Sequence, residues 1–390
     1  MPKVVTGLEV FLAERSKLYK GRPLGLLANQ ASVNSNYKHA LTLIDESLPK
    51  AIKTIFGPQH GWVGEKQDNM VESNHGQTSD GRPIYSLYGQ DRQPKPETLK
   101  DIEVLLIDLP DVGTRVYTFA QTMALCLEIA QDNHLEIVIL DRPNPIGGLE
   151  VEGHLLANDC RSFVGLYPIP LRHGLTLGEL ALFINSQLKT PAPLTVIACQ
   201  NWRRSQYFPE TGLPWVMPSP NLPTFESAWV YPGQVLWEGT NVSEARGTTR
   251  PFNLVGAPYI DSKVLFKELI QKNLPGLVFR EAFFQPTFHK WAGELCRGLD
   301  LHPQDPAFLP YLSSLTILEI ILKYWPESFR LKDPPYEYEF VRRPIDLILG
   351  HKSVFNDLVA GRPARDIWAD EAPSLASWLK TREEFLLYGD

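Results

Sequence analysis

The chain has 390 residues, 43% of them hydrophobic and 21% charged, which is the composition of an ordinary globular protein of two or three domains. Its 38 basic and 45 acidic residues leave a net charge of −7, so the basic footprint of a nucleic-acid binder is absent. Proline is the outlier. There are 33, about 8% against a usual ~5%, and in so hydrophobic a chain they punctuate ordered loops, the usual seat of function.

The N-terminal stretch MPKVVTGLEVFLAERSKLYKGRPLGLL is interrupted by Glu9, Glu14, Arg15 and Lys17. It therefore reads as an amphipathic helix and not as a secretory signal. No run approaches the ~18 apolar residues of a membrane span, so no membrane partner is expected. Cys126, Cys160, Cys199 and Cys296 are scattered, with no CxxC pair. They read as buried, reduced thiols, and the expected compartment is the cytoplasm.

Along the first half, short apolar runs end in polar clusters: LGLLANQ (24–30), IKTIFGPQH (52–60), EVLLIDLPD (103–111) and EIVILDRPN (136–144). Near-continuous apolar runs suit parallel strands covered on both faces. Between them lie helical patterns such as FAQTMALCLEIAQ (119–131), and PLTVIAC (193–199) adds a further strand. The alternation predicts an α/β fold with a doubly wound parallel sheet. Ligands of such sheets bind beyond the carboxyl ends of the strands. That rule gathers Asn29, Gln59, His60, Asp108, Asp111, Asp141 and Asn144 on one expected rim. The competing reading is that Asn, Asp and Pro are simply turn formers there. No dinucleotide glycine fingerprint or phosphate loop follows any of these strands, so no nucleotide cofactor is expected.

In the middle of the chain, Thr176 and Glu179 form a T-x-x-E capping box before a helix, which makes Glu179 a cap before a catalyst. Residues 213–258 carry prolines, aromatics and charges with few helical credentials, the pattern of a long loop that builds a site. After about residue 260 the chain becomes more regular: 263–273, 309–325 and 343–361 look helical, with 283–303 as an extended or irregular insertion. A large domain over 1–258 and a smaller α+β domain over 259–390 are expected.

The chemistry-bearing clusters lie in turns. GPQHGWVGEKQDN (57–69) sets Gln59, His60, Glu65 and Asp68 beyond the second strand, and DVGTRVYT (111–118) offers Asp111, Arg115 and Tyr117 at a helix N-terminus, a setting that favours anions. WEGTNVSEARGTTR (237–250) supplies Glu238, Asn241, Glu244, Arg246 and Arg250, the arginines being suited to a carboxylate. Taken singly, each charged residue reads as a solvated side chain or a structural ion pair. Together, carboxylates, aromatics and amides suit a carbohydrate site, where glycoside hydrolysis needs one protonated and one ionised acid. Glu244 or Glu238 with Asp111 are the candidate carboxylates, and Glu65 and Glu72 are reserves. His60, Arg115, Tyr117 and Asn241 are the candidate positioning groups, with Asn29, His173, Arg246 and Arg250 as further substrate contacts. A metal site at His60, Asp111 and His173 competes, but no HExxH or similar spacing supports it, and no metal is expected.

Seven segments carry a resemblance: LANQASV (27–33), FGPQHGWVGE (56–65), DLPDVGTRVYTF (108–119), LDRPNPIGG (140–148), IPLRHGLTLGELA (169–181), 218–258 and QPTFHKWAGELCRGL (285–299). In order and over essentially the whole length, the chain resembles the exo-acting β-N-acetylmuramidases once grouped as domain of unknown function 1343. The resemblance implies a Rossmann-like domain, a smaller C-terminal domain and a site in the cleft between them. It also implies release of terminal N-acetylmuramic acid from the non-reducing end of peptidoglycan fragments, whose lactyl carboxylate offers Arg246 or Arg250 a partner. Two departures stand out. The family motif FxPEHG carries a glutamate taken as catalytic where this chain has Gln59, and an amide cannot donate and regain a proton. Either another acid serves, or the substrate differs, or the protein is a catalytically silent sugar binder. Many members are exported, whereas a cytoplasmic enzyme would act on imported fragments in wall recycling.

Overall fold

The computed structural model describes residues 2–67, 70–89 and 91–390; Asp68 lies outside the described residues. Seven strands form the larger sheet: β1 (Leu24–Ala28), β2 (Ile52–Gly57), β3 (Gly76–Gln77), β4 (Pro83–Ser86), β5 (Val104–Asp108), β6 (Glu136–Leu140) and β7 (Leu194–Ile197). Their order is β3-β4-β2-β1-β5-β6-β7, and every pair is parallel except β3–β4. The chain winds outward from β1 to one edge, then returns to β5 on the other side. The carboxyl ends of β1 and β5 therefore flank the switch point where such sheets take ligands. β1 and β5 are buried at every residue, because helices cover both faces; the apolar runs read from the sequence are these double-sided strands.

The smaller sheet is antiparallel: β8 (Leu254–Ala257), β9 (Leu277–Phe284) and β10 (Cys296–Pro303), in the order β8-β10-β9. The expected division at 258 falls directly after β8, whose residues pair into this second sheet. One apolar core runs from β5 and the helix Thr118–Asn133 through Trp237 to the helix Pro310–Tyr324, so the two sheets share packing. Arg115 ties the first half of the chain to the helix Pro344–Leu349. Its guanidinium is buried and donates to the carbonyls of His154 and Ile169 (3.0 Å each) and Ile348 (2.9 Å).

One stretch differs from the sequence expectation, and a second is more regular than expected. Within 213–258 lies a helix, Phe225–Gln234, continued by a tighter turn over Val235–Gly239. Pro232 inside it removes a helix donor and hides the pattern, but all but one of its ten residues are buried, so tertiary packing overrides propensity. Gly233 lets it approach the helix Pro310–Tyr324, since a Cβ there would sit 1.9 Å from the Pro310 carbonyl oxygen. The expected extended or irregular insertion 283–303 holds β10 and the loop that joins it to β9 in an antiparallel hairpin; β9 has one solvated face, so its apolar residues never form a run. The Thr176–Glu179 capping box is present, and all four cysteines are buried and unpaired.

Candidate active site

A narrow cleft opens where the loops after β2 and β5 meet the segments after the helix Phe225–Gln234. Gln59 and His60 line it from the first loop, and Tyr117 and Thr118 from the second. β2 stops at Gly57, and the Gly61 N–H closes a turn onto the Pro58 carbonyl at 3.0 Å. His60 and Gly61 are both left-handed, at φ 71° and 84°, and this reversal presents the Gln59 and His60 side chains in place of continued strand. The His60 Nδ1 bonds the Lys66 carbonyl at 2.7 Å. Tyr117 is the N-cap of the helix Thr118–Asn133.

The opposite wall brings Glu238, Arg246, Tyr336 and Glu337. Glu238 accepts from Arg246 Nη2 at 2.5 Å and from the Tyr336 hydroxyl at 2.7 Å. Arg246 also reaches Glu244 (3.3 Å) and lies over the Phe252 ring at 5.3 Å. Glu244 sits behind this wall, fully buried, with Lys290 Nζ at 2.6 Å and His289 at 3.5 Å. Burial alone would push its carboxyl up, yet Lys290, His289 and Arg246 together hold it down at about 2. Burial lowers the Lys290 ammonium against the pull of Glu244.

Glu337 has the opposite surroundings. Gln59 Nε2 donates to its Oε1 at 3.0 Å, and the Tyr88 hydroxyl donates to its Oε2 at 2.8 Å. Burial pushes the carboxyl up to about 7, with Glu238 adding to the rise and the Tyr88, Gln59 and Arg246 contacts opposing it. The Gln59 amide is fixed in orientation: its oxygen accepts from Thr118 Oγ1, and its nitrogen donates to both Tyr88 and Glu337. Sequence reading missed Glu337, Tyr336 and Tyr88. The only signal was the acid-aromatic alternation PPYEYEF (334–340).

Of the residues read from sequence, Gln59, His60, Tyr117, Glu238 and Arg246 meet in this cleft, and the rest do not line it. Asp111 borders it beside Tyr117, whose phenol is raised by burial and by that carboxylate. Asp111 is itself held by the Gly113 N–H at 2.7 Å and lies 3.5 Å from His173. It also faces a proline-walled hollow with Trp215 and Arg142 at the switch point, which offers one carboxylate where the cleft offers two. Asn29 donates to the Pro218 carbonyl, and Asn241 joins Ser328, Tyr259 and Arg330. Arg250 bonds Asp300 and not the carboxylates of Arg246, so the two arginines do not form one fork. Asp108 pairs with Arg142, Asp141 accepts from Thr176 and Tyr388, and Asn144 holds the Leu175 carbonyl. These rim residues act as turn and loop anchors. Glu65 lies 3.4 Å from Lys66 with its side chain about half exposed, and Glu72 is exposed. Among the described residues, no three His, Cys, Asp or Glu side chains gather as a metal would require.

Comparison with known proteins covers the whole chain. Residues 24–226 match the family model described as exo-beta-N-acetylmuramidase NamZ, N-terminal, and residues 229–388 match its C-terminal counterpart. Peptidoglycan beta-N-acetylmuramidase NamZ of Bacillus subtilis is 41% identical over 389 residues, which is 99% of this chain and 92% of that protein. A crystal structure of a DUF1343 family protein from Bacteroides fragilis superposes with a TM-score of 0.89 at 30% identity, covering 99% of each chain. A second such protein from the same organism gives a TM-score of 0.78 at 28% identity over 100% of each chain.

Proposed function

The chain belongs to the exo-β-N-acetylmuramidase family, and from that premise we propose that it is a glycoside hydrolase releasing terminal N-acetylmuramic acid from the non-reducing end of peptidoglycan fragments. The observation that carries the reading is the cleft itself. Gln59 and His60 after β2, Tyr117 after β5, and Glu238 and Arg246 from the second lobe's side converge on one buried polar space. Leaving-group departure puts positive charge on the anomeric carbon, and the Glu238 carboxylate, fixed by Arg246 and Tyr336, supplies the opposing charge. Of the arginine pair, Arg246 lines the cleft, which favours it as the charge nearest a lactyl carboxylate. His60 and Tyr117 position the sugar. Since position 59 holds an amide, the proton donor is another group of the cleft.

Four buried, unpaired cysteines fit a reducing compartment, and no helix among the described residues is long and apolar enough to cross a membrane. We place the enzyme in the cytoplasm, acting on imported fragments during wall recycling. A second reading, a silent sugar-binding protein, rests on Gln59 alone. Turnover of a chromogenic N-acetylmuramic acid glycoside, with and without a chelator, separates the readings. The hydrolase releases chromophore in both conditions. Binding without turnover favours the silent protein, and loss of turnover on chelation favours a metal enzyme.

A further inference from the structure

The cleft holds a second carboxyl group, that of Glu337, and Gln59 leaves the hydrolase without its proton donor. We propose that Glu337 is the catalytic acid of this cleft, giving its proton to the glycosidic oxygen as the bond to the anomeric carbon breaks. The inference rests on the glycosidase reading.

Three observations carry it. Glu337 lines the cleft together with Glu238, so the two carboxyl groups needed for glycoside hydrolysis share one space. Its backbone is held in an uncommon conformation to put it there. Glu337 and Tyr338 are both left-handed, at φ 47° and 63°, at the centre of a turn closed by paired 2.9 Å bonds between Tyr336 and Glu339. Such turns favour glycine or asparagine, and a non-glycine residue in that region is strained. Backbone strain of that kind is kept where a side chain must point to one place.

The hydrogen bonds give the third. Both protein partners of the carboxyl group, Gln59 Nε2 and the Tyr88 hydroxyl, donate to it. The Tyr88 oxygen already receives the Met70 N–H and the Gln59 amide, so its hydrogen is committed to Glu337. When Glu337 is protonated, neither of these two groups takes up its hydrogen, which is available to the cleft. Gln59 and Tyr88 thus position the acid and receive no proton from it. Around the carboxyl group stand Tyr88, Glu238, Arg246, Tyr231, Tyr336 and Tyr338. Burial and Glu238 keep it protonated up to about pH 7, where a general acid is most effective.

In the step itself, the proton leaves Glu337 for the glycosidic oxygen, that oxygen keeps the bonding electron pair, and the leaving sugar departs as an alcohol. Water then gives its hydroxide to the anomeric carbon and its remaining proton restores Glu337. The sum is one glycoside plus one water giving two sugars.

The test compares a poor and a good leaving group. The Glu337→Gln enzyme is assayed on an N-acetylmuramyl-N-acetylglucosamine disaccharide and on the 4-nitrophenyl glycoside of N-acetylmuramic acid. We expect disaccharide turnover to fall on the order of 10²–10⁴-fold, the nitrophenyl glycoside to fall at least tenfold less, and the alkaline limb of its kcat/KM profile to vanish. Equal losses on both substrates with that limb retained, or unchanged rates, would overturn the assignment. Tyr88→Phe covers a misfolded Glu337→Gln. Losing a donor to the carboxylate moves the alkaline limb to higher pH, and a limb that stays in place overturns the proposal. A wild-type enzyme that cleaves neither substrate refutes the glycosidase reading itself, whereas failure of the variants alone refutes only the role of Glu337.

Discussion

The wall around Glu244 and the wall around Glu337 are built from the same residue type at the same depth, and they behave as opposites. Glu244 is met by two cations, Lys290 and Arg246, with the His289 imidazole 3.5 Å away. Glu337 is met by a phenol and an amide, with a second carboxylate nearby. In the first case Coulomb attraction outweighs burial; in the second burial wins. An ion network of the first kind holds its loop in place and gives up no proton near neutrality, whereas a neutral network of the second kind stores one. Glu238 stands between them, sharing Arg246 with Glu244 and a cleft with Glu337.

The sharpest way to break this contrast is at Glu238. Glu238→Gln should lower kcat by roughly 10³-fold and also lower the melting temperature, because it takes one partner from the buried Arg246 pair; retained turnover would remove the second carboxylate from the mechanism. Next comes the cation wall. Lys290→Met leaves Glu244 short of its shortest ion-pair partner and should cost about 3–5 kcal/mol in chemical denaturation, while an effect under 1 kcal/mol would show that the network is not structural.

Stability against pH separates the two glutamates with opposite signs. Glu244 is depressed in the fold, so the stability it contributes is present above about pH 4.5 and is lost as pH falls towards about 2. Glu337 is raised in the fold, so its ionisation penalises folding increasingly as pH rises from about 4.5 to about 7. Relative to wild type, Glu244→Gln should therefore gain ground on acidification and Glu337→Gln on alkalinisation, read from urea midpoints at several pH values. The smallest effect is expected at Arg250. Its side chain is 42% exposed, and Asp300 keeps Arg280 and His302 without it. Arg250→Ala should cost about 0–1 kcal/mol and leave KM within about twofold, against a clear rise in KM for Arg246→Ala. Equal KM effects would return both arginines to the substrate.

Much of the fold was legible in the sequence because doubly covered strands leave unbroken apolar runs, as in β1, β5 and β6. The helix Phe225–Gln234 was not, since Pro232 contradicts the local pattern that packing overrules. At the site, Gln59, His60, Tyr117, Glu238 and Arg246 were legible from polar clusters at strand ends and loops. Arg115, Asn241 and Asn29 carry the same signature, but their side chains bond other parts of the protein, mostly backbone carbonyls, and sequence does not show which loop groups are already engaged. Glu337 was invisible for another reason. Its partner Gln59 lies 278 residues away, and no glycine announces the left-handed turn that presents it.

The central claim is exo-acting removal of N-acetylmuramic acid from a cleft built between two lobes. It is tested most directly by incubating the wild-type protein with a defined oligosaccharide of alternating N-acetylmuramic acid and N-acetylglucosamine, labelled at its reducing end, and following products by mass. Release of free N-acetylmuramic acid from the non-reducing end is expected, with the labelled remainder shortened by one sugar and then resistant because its new terminus is N-acetylglucosamine. Internal cleavage, release of N-acetylglucosamine from that terminus, or an unchanged oligosaccharide would contradict it.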